Sequence, residues 1–200
     1  SRPILNEELR LKMVSSLNPV DYCFVDRTPL DRPPLTLLDG VFEALRPNAY
    51  VINEDAFDIP YRQAVTAQFG VALLVLPRWY PPEFNGISTT KIIEKVKAGA
   101  ADHEGVPNGA SPIASSIKRE PSPTSQVSSL APGNEITYGD LPAVRGRHRD
   151  QKIVFCSGSF DLTHPAHVLF FEAAKGRGDI LVVAVGNDAL ILKLKGGVRP

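Results

Sequence analysis

The chain has 200 residues, 43% of them hydrophobic, which is enough to bury one core and a small appendage. Its 22 basic side chains balance 22 acidic ones, so no net charge draws the whole molecule to nucleic acid or to an anionic membrane. The two cysteines, Cys23 and Cys156, lack the spacing of a zinc site or a disulfide framework and lie in apolar runs, which predicts buried, reduced thiols.

Residues 4–98 alternate between helical and strand-like hydrophobic patterns. This alternation is typical of an α/β protein with a parallel sheet. The predicted helices are 6–17, 37–45, 61–69 and 88–98, and the predicted strands are 20–25, 49–52 and 71–76.

The periodic pattern stops at residue 99. Residues 99–150 are rich in Gly, Pro, Ser and Ala, and such a segment cannot bury enough apolar surface to offset the entropy lost on ordering. We therefore expect a disordered linker over residues 99–150.

Order returns with a strand over 152–160, a helix over 165–175 and a strand over 179–186, which together form one βαβ unit. Residues 160–167, reading FDLTHPAH, fall between the first strand and the helix, at the carboxyl end of a parallel strand, where open α/β sheets bind ligands. Gly158 permits a turn there, and Pro165 suits a first helical turn.

Two histidines lie at this predicted helix start. His164 and His167 are three positions apart, so both can face one anion near the unpaired N–H groups and the positive end of the helix dipole. The pattern predicts a phosphate site, with a packed or surface histidine pair as the alternative. A zinc site is disfavoured, because no further His or Glu follows at metalloprotease spacing.

These motifs resemble the nucleotidylyltransferases of the cytidylyltransferase-like superfamily, whose signature is His-x-Gly-His after a first strand. Among its members the resemblance is greatest to the nucleotidylyltransferase domain of bacterial ADP-heptose synthase, with glycerol-3-phosphate cytidylyltransferase second. Segments similar to the opening half of that domain are 158–167, 178–188 and 194–200, and segments similar to its closing half are 2–25, 45–57, 71–78 and 86–97.

The halves stand in exchanged order. Residues 1–98 resemble the C-terminal half of the family's domain and residues 151–200 its N-terminal half. The chain is then either a circular permutant, in which the linker joins the family's old ends, or the junction of two tandem domains. Both alternatives imply a Rossmann-like, three-layer fold with a five-stranded parallel sheet. Its expected strand order is 21–25, 180–185, 153–157, 49–52 and 72–76.

The resemblance implies transfer of CMP or AMP from CTP or ATP to a phosphorylated sugar or polyol, with release of pyrophosphate and with Mg²⁺ bridging phosphate oxygens. The implied catalytic residues are His164, His167 and Lys195. The implied nucleotide-binding residues are Gly158, Ser159, Phe160, Asp161, Arg10, Asp55, Arg78, Gly86, Ile87, Ser88, Thr89 and Thr90.

Four positions depart from the family's pattern. Ala166 replaces the glycine of the signature, and residues 52–54 replace a Lys-Gly-x segment before Asp55. Residues 79–85 lengthen the loop before the closing motif, and Asn18 replaces an arginine of the glycerol-phosphate enzymes. The alternatives are therefore a catalytically degenerate nucleotide-binding or regulatory module and a fragment of a tandem cytidylyltransferase.

Localisation and partners complete the expectations. No apolar run reaches the ~18 residues of a membrane span, so we expect a cytoplasmic protein without nucleic-acid or membrane partners. Lys118 lies in a stretch resembling a SUMO-acceptor consensus, close to a proline-directed Ser122; modification there would place the chain in a eukaryotic cytosol or nucleus. The resemblance also allows a homodimer.

Overall fold

The computed structural model describes residues 3–27, 35–77 and 134–195. Predictions for the helix over 88–98 and for residues 99–133 lie outside these ranges. None of the helices within them is long and apolar enough to cross a membrane.

Six helices and five strands make up the described parts of the chain. The helices are α1 (Glu7–Ser15), α2 (Leu37–Leu45), α3 (Ile59–Phe69), α4 (Leu141–Arg147), α5 (Pro165–Lys175) and α6 (Asp188–Lys195). The strands are β1 (Tyr22–Asp26), β2 (Ala49–Asn53), β3 (Ala72–Leu76), β4 (Ile153–Gly158) and β5 (Ile180–Gly186).

The strands form one five-stranded sheet in the order β1-β5-β4-β2-β3, and every pairing is parallel. This confirms the predicted α/β fold class and the expected strand order. Side chains of alternate residues in β4 point to opposite faces, so Phe155 joins one apolar cluster and Cys156 the other. Helices α2, α3 and α4 cover the first face and α1 and α5 the second, which gives three layers.

The two halves of the chain interleave within this sheet. The N-terminal half supplies β1, β2 and β3, and the C-terminal half supplies β4 and β5, which lie between β1 and β2. The strands of the N-terminal half are therefore separated by those of the C-terminal half.

The linker prediction is wrong over residues 134–150. Residues around Glu135 add a short parallel bridge to Cys23 of β1, and a 3-10 turn (Tyr138–Asp140) leads into α4. Leu141 and Val144 anchor α4, because they lie three apart on one helix face and are buried in the core. The Gly and Pro content of the surrounding segment conceals this short apolar pattern.

Candidate functional site

The loop between β4 and α5 lies at the carboxyl edge of the sheet, as expected. Phe160 and Leu162 adopt positive φ angles of 45° and 50°, which bulky residues rarely do. The buried Phe160 ring packs on Phe171 with 4.9 Å between ring centroids. Backbone strain of this kind persists where packing over-determines the conformation, and it is common at functional sites.

Gly158 ends β4 directly beneath that ring. A Cβ at this position would lie 2.8 Å from Cζ of Phe160, closer than carbon atoms normally approach. The glycine is therefore required by the close approach of the aromatic ring, which in turn shapes the loop.

His164 and His167 meet at the start of α5. His164 is the N-cap residue, and its backbone N–H donates to Nδ1 of His167 at 3.3 Å. The two ring centroids are 4.0 Å apart, and the His167 ring also packs edge-on against Phe160. Because Nδ1 accepts a hydrogen bond, a neutral His167 carries its proton on Nε2. The structure thus brings the predicted histidine pair together at a helix N-terminus, a favourable place for a phosphate.

Asp161 connects this loop to the beginning of the described chain. The side chain is buried, and its carboxylate accepts hydrogen bonds from the backbone N–H of Ile4 at 3.1 Å and of Leu5 at 3.2 Å. The resemblance implies that Asp161 binds nucleotide. In the structure its side chain has a structural role, because it holds the residues before α1 against the loop.

Arg10 of α1 lies fully buried behind the same loop. Its guanidinium donates to the backbone carbonyl of Ser159 and to the carboxylate of Asp188, both at 2.5 Å, and to the carbonyl of Leu5 at 3.0 Å. Arg10, for which the resemblance implies contact with phosphate groups, therefore joins the segments that follow β4 and β5.

The remaining predicted site residues are spread around this edge or lie outside the description. Asp55 is exposed in the turn after β2. Lys195 ends α6, and its side chain is not among those described. Also outside the described ranges are Arg78, Gly86, Ile87, Ser88, Thr89 and Thr90.

The sheet opens between β2 and β4. Their ladder comprises only the pairs Ala49 with Val154 and Tyr50 with Phe155, whereas β4 and β5 pair along their whole length from Ile153 to Gly158. The strand order also turns around here, because β5 and β1 lie on one side of β4 and β2 and β3 on the other. Ligands of open α/β sheets bind at such a switch point.

A polar chain that the sequence analysis missed spans this opening. Oη of Tyr50 lies 2.7 Å from Oγ of Ser157, and the Arg62 guanidinium donates to the same tyrosine oxygen. Burial lowers the pKa of Arg62 to about 10. One signal could have revealed Arg62, since it occupies the apolar stripe of α3, one turn from Val65 and Thr66, which are also buried.

The two cysteines are free and buried, as predicted. Burial raises the pKa of both thiols, and the charge of Glu135 raises that of Cys23 further. Within the described part of the chain, no group of three or more His, Cys, Asp or Glu side chains could hold a metal ion.

A concave region with a volume of about 480 Å³ lies at the opposite, amino edge of the sheet. It is lined by Arg46, Arg145, Gly146 and Arg149. Arg46 caps the C-terminus of α2, and Arg145 lies in the last turn of α4. Cations stabilise helix C-termini, so these charges have a structural explanation.

Comparison with known proteins gives a family match over the part of the chain that contains β4, α5 and β5. Residues 155–198 match the Cytidylyltransferase-like family. The chain is 49% identical over 53 residues to the bifunctional protein HldE of Helicobacter pylori (strain G27) and 43% identical over 60 residues to that of Pseudomonas fluorescens (strain Pf0-1).

These matches cover 26% and 30% of this chain and only 11% and 13% of the two relatives. The chain therefore spans only about a tenth of the length of these relatives. No solved structure matches the chain.

Proposed function

We propose that the protein is a nucleotidyltransferase that transfers CMP or AMP from CTP or ATP to a phosphorylated sugar or polyol and releases pyrophosphate. The observation that carries this proposal is the contact of His164 with His167 at the start of α5, inside the segment that matches the Cytidylyltransferase-like family. The proposal also takes residues 1–98 and 151–200 as the exchanged halves of one such domain, whether by permutation or at a tandem junction.

The reaction joins an acceptor phosphate oxygen to the α-phosphorus of the nucleotide while the bond from that phosphorus to the bridging β-phosphate oxygen breaks. Pyrophosphate takes the bonding electrons with it. Such chemistry needs positioning and charge neutralisation, not a covalent nucleophile. The N–H groups of His164 and His167 and the start of α5 would stabilise the developing charge on the transferred phosphate.

The other predicted residues take roles consistent with their positions. Gly158, Ser159 and Phe160 would contact the nucleotide through backbone atoms, while Arg10 and Asp161 keep the loop in place from behind. Contact with phosphate groups stays a prediction for Lys195, Ser88, Thr89 and Thr90. Contact with the nucleotide stays a prediction for Asp55, Arg78, Gly86 and Ile87, as does a homodimer.

Mg²⁺ would enter this site as an ion that the nucleotide brings with it. Bound to the triphosphate, it would neutralise phosphate charge.

The test is pyrophosphate release by the full chain with CTP or ATP, Mg²⁺ and a panel of phosphorylated sugars and polyols. We expect release with at least one pair of substrates and a loss of about 100-fold or more in His164→Ala, the scale of removing one transition-state donor. His148→Ala is the matched control, because His148 lies at the amino edge, just before β4, and should leave the rate unchanged. Absence of release across the panel would overturn the proposal.

A second candidate function is a nucleotide-binding or regulatory module without turnover. Ala166 favours it, since its methyl group occupies the first turn of α5, where the resemblance implies that backbone and phosphate groups would approach closely. Calorimetry would then show binding of CTP or ATP without pyrophosphate release. Appearance of release in Ala166→Gly would identify that methyl group as the cause.

A further inference from the structure

Arg62 is a nearly buried cation without a counter-charge in the described parts of the chain. Only 7% of the residue is exposed, and its contacts are the carbonyl of Phe57, 2.7 Å from Nε, and the hydroxyl of Tyr50, which accepts from Nη1. The guanidinium carbon also lies 5.5 Å from the centre of the Tyr50 ring. Among residues 3–27, 35–77 and 134–195, no carboxylate forms an ion pair with it.

A buried arginine of this kind is costly to keep. Removing a guanidinium from water is unfavourable unless an anion or several hydrogen bonds compensate for it. Arg62 presents five N–H donors, and two acceptors satisfy only part of that capacity. An anion would complete the coordination and recover the desolvation cost.

The position of Arg62 indicates where that anion would come from. The hydroxyl of Tyr50 accepts from the Arg62 guanidinium and also contacts the hydroxyl of Ser157. The contact between Tyr50 and Ser157 spans the opening between β2 and β4, next to Gly158 and the loop that contains His164. Ile52 points to the same face of the sheet as Tyr50 and is apolar. From Ala49 to Phe69 the chain has no other Lys or Arg apart from Arg62. Arg62 is thus the basic side chain that the segment from β2 to α3 places next to the opening.

We infer that Arg62 is a phosphate-binding residue of the candidate site, receiving a phosphate group of the nucleotide or of the phosphorylated acceptor at the opening between β2 and β4. The inference rests on the proposed function in one respect, namely that the ligand carries phosphate. An arginine suits this task because its planar fork can donate two parallel hydrogen bonds to phosphate oxygens.

The test is calorimetric titration of the full chain with tripolyphosphate, as the nucleotide arm, and with a sugar phosphate, as the acceptor arm. We expect Arg62→Met to weaken binding of one of the two about tenfold to 100-fold, the scale of a charge-assisted hydrogen bond. Arg177→Met is the control, because it removes an equal charge from an exposed position at the amino edge. The arm that responds identifies the source of the phosphate.

A purely structural brace predicts a different outcome. Tyr50→Phe removes the hydroxyl that accepts from Arg62 but leaves the guanidinium, so phosphate affinity should be largely retained if Arg62 binds the anion directly. If Tyr50→Phe loses as much affinity as Arg62→Met, Arg62 acts only as a brace and the inference falls. A folded Arg62→Met that binds both probes like the wild type overturns it as well.

A third measurement covers the case in which Arg62→Met does not fold. The Nε–H resonance of Arg62 in the wild-type protein, assigned by its loss in Arg62→Lys, should shift on addition of the phosphate probe, and an unmoved resonance overturns the inference. These experiments can fail independently of the test of the proposed function. Phosphate binding that depends on Arg62 without pyrophosphate release sustains the inference alone, whereas release with unchanged KM in Arg62→Met sustains the function alone.

Discussion

Arg10 and Asp188 form an ion pair across a separation of 178 positions, with 2.5 Å between Nη2 and Oδ1. The arginine side chain is fully buried, whereas the aspartate side chain is 33% exposed. The pair joins α1, which precedes β1, to the start of α6, which follows β5. It thereby connects the two halves of the chain at the carboxyl edge of the sheet.

This pair should contribute strongly to stability. Asp188→Ala leaves the buried Arg10 charge without a carboxylate, and we expect it to lower the free energy of unfolding by about 3–5 kcal/mol, measured by urea denaturation. Glu8→Ala, on the helix of Arg10, is the control, because the Glu8 side chain is 77% exposed and lies 3.8 Å from Arg27. It should cost less than about 1 kcal/mol. Similar small effects of the two variants would show that Arg10 is compensated by other groups.

Gly158 should not tolerate a side chain. We expect Gly158→Ala to destabilise the protein by about 1–3 kcal/mol in thermal denaturation, because its Cβ would force the Phe160 ring from its place between His167 and Phe171. Gly146→Ala provides the opposite control. Nothing lies within 4 Å of a Cβ there, in helix α4, so it should stabilise by about 0.5–1 kcal/mol. A neutral Gly158→Ala would contradict the packing argument.

The two halves should fold only together. Fragments 1–98 and 134–200 are each expected to be unfolded alone, because β1 and β2 of the first are neighbours of β5 and β4 of the second and not of each other. Mixing them should restore a cooperative structure, seen as dispersed amide resonances and resistance to protease. A folded spectrum from fragment 1–98 by itself would refute this interdependence.

The thiols of Cys23 and Cys156 should be unreactive in the folded protein. Burial raises the pKa of both, so a thiol reagent at about pH 8 should modify them only after unfolding, at a rate set by opening of the fold. The folded state keeps these protons after the unfolded state has released its own near the ordinary value of 9.0.

Stability should therefore fall as pH rises above that value, by about 1.4 kcal/mol per pH unit for each thiol. The double variant Cys23→Ala/Cys156→Ala should lose this part of the dependence. An unchanged slope would show that other groups cause it.

Local patterns predicted most of the fold. Helix α5 begins at Pro165, and α2 spans Leu37–Leu45, both with the predicted bounds, because apolar spacing and terminal residues are properties of short segments. The two missed helices, α4 and α6, are short and adjoin Gly-rich sequence. Their apolar residues, such as Val144 and Ile191, become evident as core residues only when the sheet is present.

In the candidate site, too, the sequence predicted the local features and the tertiary structure decided the long-range ones. The pairing of His164 with His167 follows from their spacing at a helix start, so the sequence by itself determined that two imidazoles meet in the loop after β4. Only the tertiary structure decided that Arg10 lies behind this loop and that Arg62 lies at the opening between β2 and β4. The contacts of Arg10 with Ser159 and of Tyr50 with Ser157 join segments more than 100 positions apart, and they depend on strand order and register, which the packing of the whole core sets.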